Sequence, residues 1–407
     1  MASEAWTTTV AALTEDAIHD ILRRLPPADL LRAALACQRW RRAAARCSIL
    51  RAPPLLGYFF HPADTPPPMA FSASKRTLFP VAFAPVDASS PSLSLDFVRR
   101  GTSSFTIYDV HLGLMLLLPV PASLPAGILP RILVLDPASR RRALLPQPPR
   151  DTLVDDRWRG SRQFVGAAVL SRVHPSRLCF DAVCLTIDGK HPRSWVASYR
   201  DGECHWKVLP LDMGVTIQFQ PHWFEGRCVH AAGDMYWHIC NSARLFKLDP
   251  ATLKFSYLPA PSELADYHKF RVGERPQDGR LCMASVKDQE MQFWVRGETD
   301  GSDNGWFLEK RVCMRAVFDT VPGLPRDRVS RIVSTWLSDI DPGRTGKLFI
   351  KTMGYGRYSF HMDTGKLERL ATEDGKEVVI TETRLSDSSL PLISHQTSED
   401  LILHEDI

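Results

Sequence analysis

Four residues of metal-binding type, His174, Cys179, Cys184 and His191, fall within one short stretch of the chain. A structural zinc site usually takes its ligands from tight turns, most often as a Cys-x-x-Cys pair. That pair is missing, and Cys179 and Cys184 sit inside Leu178-Cys179-Phe180 and Val183-Cys184-Leu185, which read as strand interior. In Trp237-His238-Ile239-Cys240 the histidine and the cysteine share a sheet face by their spacing of two, and read as a packed or rim-exposed pair. Nucleophilic catalysis leaves no signature: there is no Gly-x-Ser-x-Gly elbow and no active-site cysteine pattern. Gly354-Tyr355-Gly356 lacks the later glycine and the strand-to-helix setting of a phosphate loop, so it reads as a turn. The expectation is no enzyme activity, no metal and no cofactor. A catalytic site assembled from distant strands would leave no linear motif, and that keeps a hydrolase as a remote alternative.

The chain's composition bounds the remaining classes. At 407 residues, 44% hydrophobic and 24% charged, it has the make-up of a globular protein with room for more than one domain. The formal charge of +4 is small for this length, and the densest basic runs, Arg39-Trp40-Arg41-Arg42 and Arg140-Arg141-Arg142, are short, so nucleic acid is not an expected partner. From Leu112 to Pro130 no residue is charged, but Pro119, Pro121, Pro125 and Pro130 would break a membrane-spanning helix; no membrane partner and no secretory leader are expected. The nine cysteines are odd in number, widely spaced and mostly inside apolar runs. They fit thiols in a reducing compartment, cytoplasmic or nuclear, rather than a disulfide framework.

Two kinds of element must position whatever function there is. Residues 1–12 read as a flexible leader. Thr14 is then a helix N-cap, with Glu15 and Asp16 in the first turn, where the helix dipole favours negative charge. Ile18, Ile21, Leu22 and Leu25 follow at i, i+3, i+4 and i+7 as one apolar stripe. Pro26-Pro27 ends this helix, and Asp29 caps a second one carrying Leu30, Leu31, Ala34, Leu35, Cys37 and Trp40. A hairpin of about 40 residues without disulfide or metal is too small to hide such a face alone. Something else must cover it.

In the order Leu13, the Ile18/Ile21/Leu22/Leu25 stripe, Leu25-Pro26, Asp29-Leu30, Cys37 and Trp40, this segment resembles an F-box, with Arg39-Trp40-Arg41 matching the motif's usual end. Thr14 stands where the family commonly has proline, and Ala36 where it commonly has valine. The resemblance implies docking on a Skp-type adaptor and through it on a cullin, by Leu13, Ile18, Ile21, Leu22, Leu25, Pro26, Leu30, Leu31, Cys37 and Trp40.

Beyond this module, taken as 13–50, the character changes to short β runs with Trp, Gly and Asp-Pro punctuation. Ile132-Leu133-Val134-Leu135-Asp136-Pro137-Ala138-Ser139 leads to Leu144-Leu145-Pro146. Leu245-Phe246-Lys247-Leu248-Asp249-Pro250-Ala251-Thr252 leads to Tyr257-Leu258-Pro259, and Tyr358 to Gly365 leads to a weaker third copy ending in Leu370. Each reads as a strand, an aspartate turn and a returning strand. A similar hairpin falls at Trp195 to Pro210, and an insertion is expected at Glu298 to Gly305. Gly-led strands at Gly233 to Ile239 and Gly279 to Ser285 complete a repeat of β-propeller type, with roughly five or six blades. A pair of β-sandwiches is the alternative.

Residues 54–371 loosely resemble the F-box-associated and kelch-like domains of plant F-box proteins, most closely at Gly113 to Leu117 and Asp136-Pro137 to Leu145-Pro146. The propeller-like domain is taken as 51–371. Residues 372–407 are read as a ring-closing strand at Glu377 to Thr381 followed by an acidic tail. The fold class is mainly β behind a small helical module. The resemblance implies a substrate-recognition subunit of an SCF-type ubiquitin ligase, its β domain holding a target protein. The alternative is a stand-alone propeller scaffold or, further off, a propeller hydrolase.

Overall fold

The computed structural model describes residues 13–24, 40, 57–61 and 82–85, then most of 95–369 with short breaks, and 377–379. Helix α1 (Glu15–Arg24) starts where the sequence places it: the Thr14 side-chain oxygen accepts the Ala17 backbone N–H at 3.2 Å, and the Thr14 carbonyl accepts that of Ile18 at 3.1 Å. No helix of the described residues is long and apolar enough to cross a membrane.

Strands β1 (Gly57–His61) and β2 (Ala82–Pro85) pair antiparallel. Five sheets of four follow, each an antiparallel meander in chain order. Blade 1 holds β3 (Phe105–His111), β4 (Leu114–Pro119), β5 (Ile132–Asp136) and β6 (Arg141–Leu145). Blade 2 holds β7 (Arg162–His174), β8 (Cys179–Asp188), β9 (His191–Arg200) and β10 (Glu203–Val208). Blade 3 holds β11 (Phe224–Ala231), β12 (Asp234–Ile239), β13 (Arg244–Leu248) and β14 (Phe255–Pro259). Blade 4 holds β15 (Phe270–Glu274), β16 (Leu281–Lys287), β17 (Glu290–Arg296) and β18 (Trp306–Cys313), followed by the short helix α2 (Met314–Asp319). Blade 5 holds β19 (Thr335–Asp341), β20 (Lys347–Thr352), β21 (Gly356–His361) and β22 (Leu367–Arg369). Finally β23 (Glu377–Val379) pairs with β1, giving a three-stranded sheet in the order β2-β1-β23.

The molecule is mainly β, a five-bladed β-propeller with this additional small sheet. The sandwich alternative is not adopted. Successive blades pack face to face, as alternation along β8 shows: Phe180, Ala182 and Cys184 join the core shared with blade 1, while Val183, Leu185 and Ile187 join the one shared with blade 3. Middle strands are covered on both faces and are therefore apolar runs, as in β4 and β5; the outermost β10 alternates exposed and half-buried residues. Trp195, Trp237, Trp294 and Trp306 are buried in these cores, whereas Trp206 and Trp223 are only half-buried.

The aspartate repeat joins the third and fourth strands of the blades. Asp136 accepts the Ser139 backbone N–H at 3.2 Å and its hydroxyl at 2.7 Å; Asp249 accepts the N–H of Ala251 at 2.8 Å and the Thr252 hydroxyl at 2.7 Å. In blade 2 the same turn is Asp201-Gly202, with φ of 49° and 91°, a left-handed pair that suits a tight hairpin. The third copy's Asp363 lies outside the described residues. The expected insertion falls at the equivalent turn of blade 4, whose base is closed by the Gly297 N–H donating to Gly305 at 2.9 Å.

The first strand of each blade is innermost, since β3, β7, β11, β15 and β19 contact one another in succession; β3 also meets β11 directly. Register shifts interrupt β3, β7, β11 and β19. Each shift adds local twist. Two glycines make the close approach possible. A Cβ on Gly226 would stand 2.5 Å from the Tyr108 ring, and one on Gly166 would stand 2.8 Å from the Gly226 carbonyl.

Candidate functional site

The face of α1 divides into two rows. Ile18 and Leu22 are buried, at 0% and 2% exposure, while Leu13, Ala17 and Ile21, four residues apart, are half-buried and Asp20 is exposed. A row at i, i+4, i+8 runs along one side of a helix, so the inner row is covered by this chain and the neighbouring apolar row remains partly open. Trp40 is helical and half-buried. Leu25, Pro26, Leu30, Leu31 and Cys37 lie outside the described residues.

The metal-type residues do not converge. His174 and Cys179 are cross-strand partners at one end of β7 and β8, and Cys184 lies mid-strand opposite Trp195. Cys184 is fully buried, and burial pushes its thiol well up from the ordinary range. His191 is engaged by Nδ1 with the Val215 carbonyl at 2.8 Å. Among the described residues no group of three or more His, Cys, Asp or Glu side chains could hold a metal ion.

What sequence reasoning missed is a polar cluster where the inner strands meet. Asp109 of β3 is 5% exposed; its Oδ2 accepts the Val169 N–H of β7 at 2.7 Å and stands 3.0 Å from His230 Nε2 of β11. The His111 and His230 rings stack, centroids 3.7 Å apart and planes within 1°. Cys228, two residues before His230 on the same strand, hydrogen-bonds its imidazole. Burial disfavours the charge on His230, but Asp109 and Cys228 outweigh it and hold its pKa well above the ordinary 6.5.

Cysteine, histidine and aspartate in contact have the outline of a nucleophilic triad. Burial, however, raises the Cys228 thiol despite the histidine beside it. The thiolate is the nucleophile, so this arrangement suits a lock between blades 1, 2 and 3 better than catalysis. The available signal was a charged residue inside an apolar strand, Asp109, together with Cys-x-His in β11.

A second buried network, within blade 2, centres on Asp188. Its carboxylate takes Arg162 at 3.0 Å, Arg193 at 3.0 Å and the Thr186 hydroxyl at 2.9 Å; Thr186 in turn accepts the Trp195 indole N–H at 3.0 Å. The Arg162 guanidinium lies over the Trp195 ring, 4.7 Å from its centroid. Every member is spoken for by another, so this set fixes the blade's edge rather than offering itself to a ligand.

Residues 15–52 match the F-box-like family model. The chain thus carries an F-box-like domain ahead of a five-bladed β-propeller. No curated protein matches the sequence. Among solved structures, the β-propeller domain of Cps50 (Swd1) from Myceliophteria thermophila is 10% identical, with 64% of this chain and 70% of that one covered and a TM-score of 0.33. The SapL1 lectin in complex with alpha methyl fucoside is 9% identical, covering 74% and 85%, with a TM-score of 0.35. Likenesses this distant carry no argument about what this chain binds.

Proposed function

We propose that this protein is the substrate-recognition subunit of an SCF-type ubiquitin ligase. The observation that carries the reading is the order of its parts, an F-box-like match at 15–52 followed by a propeller. The F-box-like module docks on a Skp-type adaptor and through it on a cullin, using the apolar residues of α1 and of the segment to Trp40. The propeller holds a target protein near a ubiquitin-loaded enzyme, and so raises the target's effective concentration without bond chemistry of its own. A rigid ring of packed blades with free turns suits that task. On this reading the protein works in the cytoplasm or nucleus, and its β domain is of the plant F-box-associated, kelch-like kind.

A second reading is favoured by the burial of Ile18 and Leu22 within the single chain. There α1 is a packing element of a stand-alone propeller scaffold. Capture of a purified Skp-type adaptor by the full-length protein separates the two. The ligase reading requires capture by the wild type and its loss in Leu25→Asp. No capture, or capture indifferent to that change, rejects it.

A further inference from the structure

Blade 4 carries a polar corner that none of the roles above uses. Gln292 of β17 has Ser285 of β16 and Arg311 of β18 as its cross-strand partners, and Glu290 lies two residues before it, so these four side chains share one face of the sheet. That face turns towards blade 3: Met283 and Trp294, two residues along from Ser285 and Gln292, pack in the core between blades 3 and 4. Glu263, in the single turn Ser262–Leu264 that leads from one blade to the other, meets the same side chains.

The Arg311 guanidinium bridges two carboxylates, Nη1 donating to Glu290 at 3.1 Å and Nη2 to Glu263 at 3.1 Å. All three side chains are nearly half exposed. Behind them Gln292 is 5% exposed, and its Nε2 donates to Glu263 at 3.4 Å and to Glu290 at 3.3 Å. Two carboxylates beside an amide fix its orientation, nitrogen towards them and oxygen away. Held so, Oε1 is buried without a hydrogen bond from the chain, and so is Oγ of Ser285, which is 0% exposed. Groups buried this deeply are normally bonded. Turning the amide over about its last side-chain torsion, which is soft, would let Nε2 donate to Ser285 and bring Oε1 to the mouth. What prevents it is that the oxygen would then face two carboxylates. A cation with N–H donors, placed between that oxygen and the carboxylates, removes the conflict.

We propose that this corner binds an organic cation of the ammonium or guanidinium type. The guest takes the place of Arg311 between Glu263 and Glu290, the Gln292 amide turns over, its Oε1 accepts a guest N–H, and its Nε2 donates to Ser285. At the carboxylates the exchange is like for like. Preference for the guest over Arg311 rests on the two buried atoms that gain partners. The site belongs to the propeller alone and does not depend on adaptor docking. The same chemistry could come from a free amine or guanidine, or from a Lys or Arg side chain of a peptide.

Calorimetric titration of the full-length protein at fixed ionic strength tests it, with butylammonium and ethylguanidinium chloride in one arm and capped Gly-Lys-Gly and Gly-Arg-Gly, against Gly-Gln-Gly, in the other. Saturation by the small cations assigns a free source; saturation by the basic peptides alone assigns a side chain. Either supports the site if Glu263→Gln weakens binding by about tenfold, as loss of a charge-assisted bond should, and Ser285→Ala weakens it by about threefold, as loss of the bond gained by the turned amide should. Ser285 touches no charge in the corner, so an acidic patch that merely attracts cations would be indifferent to its loss. No saturation in either arm at millimolar ligand, or affinity unchanged in Ser285→Ala, overturns the proposal.

Discussion

The indole N–H of Trp206, in the outermost strand of blade 2, donates to the carbonyl of Pro146 at 3.0 Å, where the outermost strand of blade 1 ends. Trp306 of blade 4 does the same to Pro259 of blade 3 at 2.8 Å. At Pro146 and Pro259 the Leu-Pro that follows an aspartate turn thus has a use: its proline carbonyl is taken by the next blade. Trp306 is 1% exposed and Trp206 half-buried. Trp306→Phe should therefore cost about 1–3 kcal/mol in chemical denaturation, and Trp206→Phe clearly less. Equal costs would refute the role of burial.

Asp109→Asn should remove the charge that keeps His230 protonated. His230 has a folded pKa above its ordinary 6.5. Its stabilisation is fully present below that value and is lost as pH rises through the folded pKa. Wild-type stability should decline along that climb, while the variant, less stable by about 3 kcal/mol at neutral pH, should show a flatter profile.

His238 has the opposite sign. Burial, Arg271 and Arg227 depress its folded pKa, so the unfolded chain takes up a proton that the folded one refuses. Stability should fall as pH drops below the ordinary 6.5, and His238→Leu should lessen that acid slope. An unchanged slope would argue that the ring is protonated in the fold.

Gly226→Ala places a methyl group against the Tyr108 ring. Overpacking of this kind costs about 1–3 kcal/mol. Combining it with Tyr108→Leu should recover part of the loss, and a double-mutant cycle without coupling would show that the two strands relax apart instead.

In α1, Ile18→Asp should unfold the helical module, since it buries a charge in a site that is 0% exposed. Ile21→Asp sits on the half-open row and should cost about 1 kcal/mol or less, yet abolish adaptor capture. Capture retained in Ile21→Asp with a folded module would move the docking surface elsewhere.

Local features were the most legible. Thr14 as a cap, the turns at Asp136, Asp201 and Asp249, and the apolar middle strands follow from side-chain chemistry within a few residues, and the structure repeats them. Contacts between distant strands were not legible. Asp109 and His230 are 121 positions apart and meet only because inner strands converge; nothing in either segment names the other. His238 reads from its sequence as packed or rim-exposed, and its contact with Phe270, which belongs to the next blade, decides for the first. The two-row division of α1 was hidden for a similar reason: Ile18 and Ile21 have the same chemistry, and only packing tells them apart.

The pairing of β1 with β23 joins residues 57–61 to 377–379. Each four-stranded blade can form from one contiguous stretch as it leaves the ribosome, but this sheet must wait until residues 377–379 have been made. Until then Phe59 and Phe60 can pair with Phe83 and Ala82 of β2 on one side but lack Val379 and Val378 on the other. A growing chain therefore carries an open strand edge while all five blades are made, and such an edge is a template for pairing with another chain.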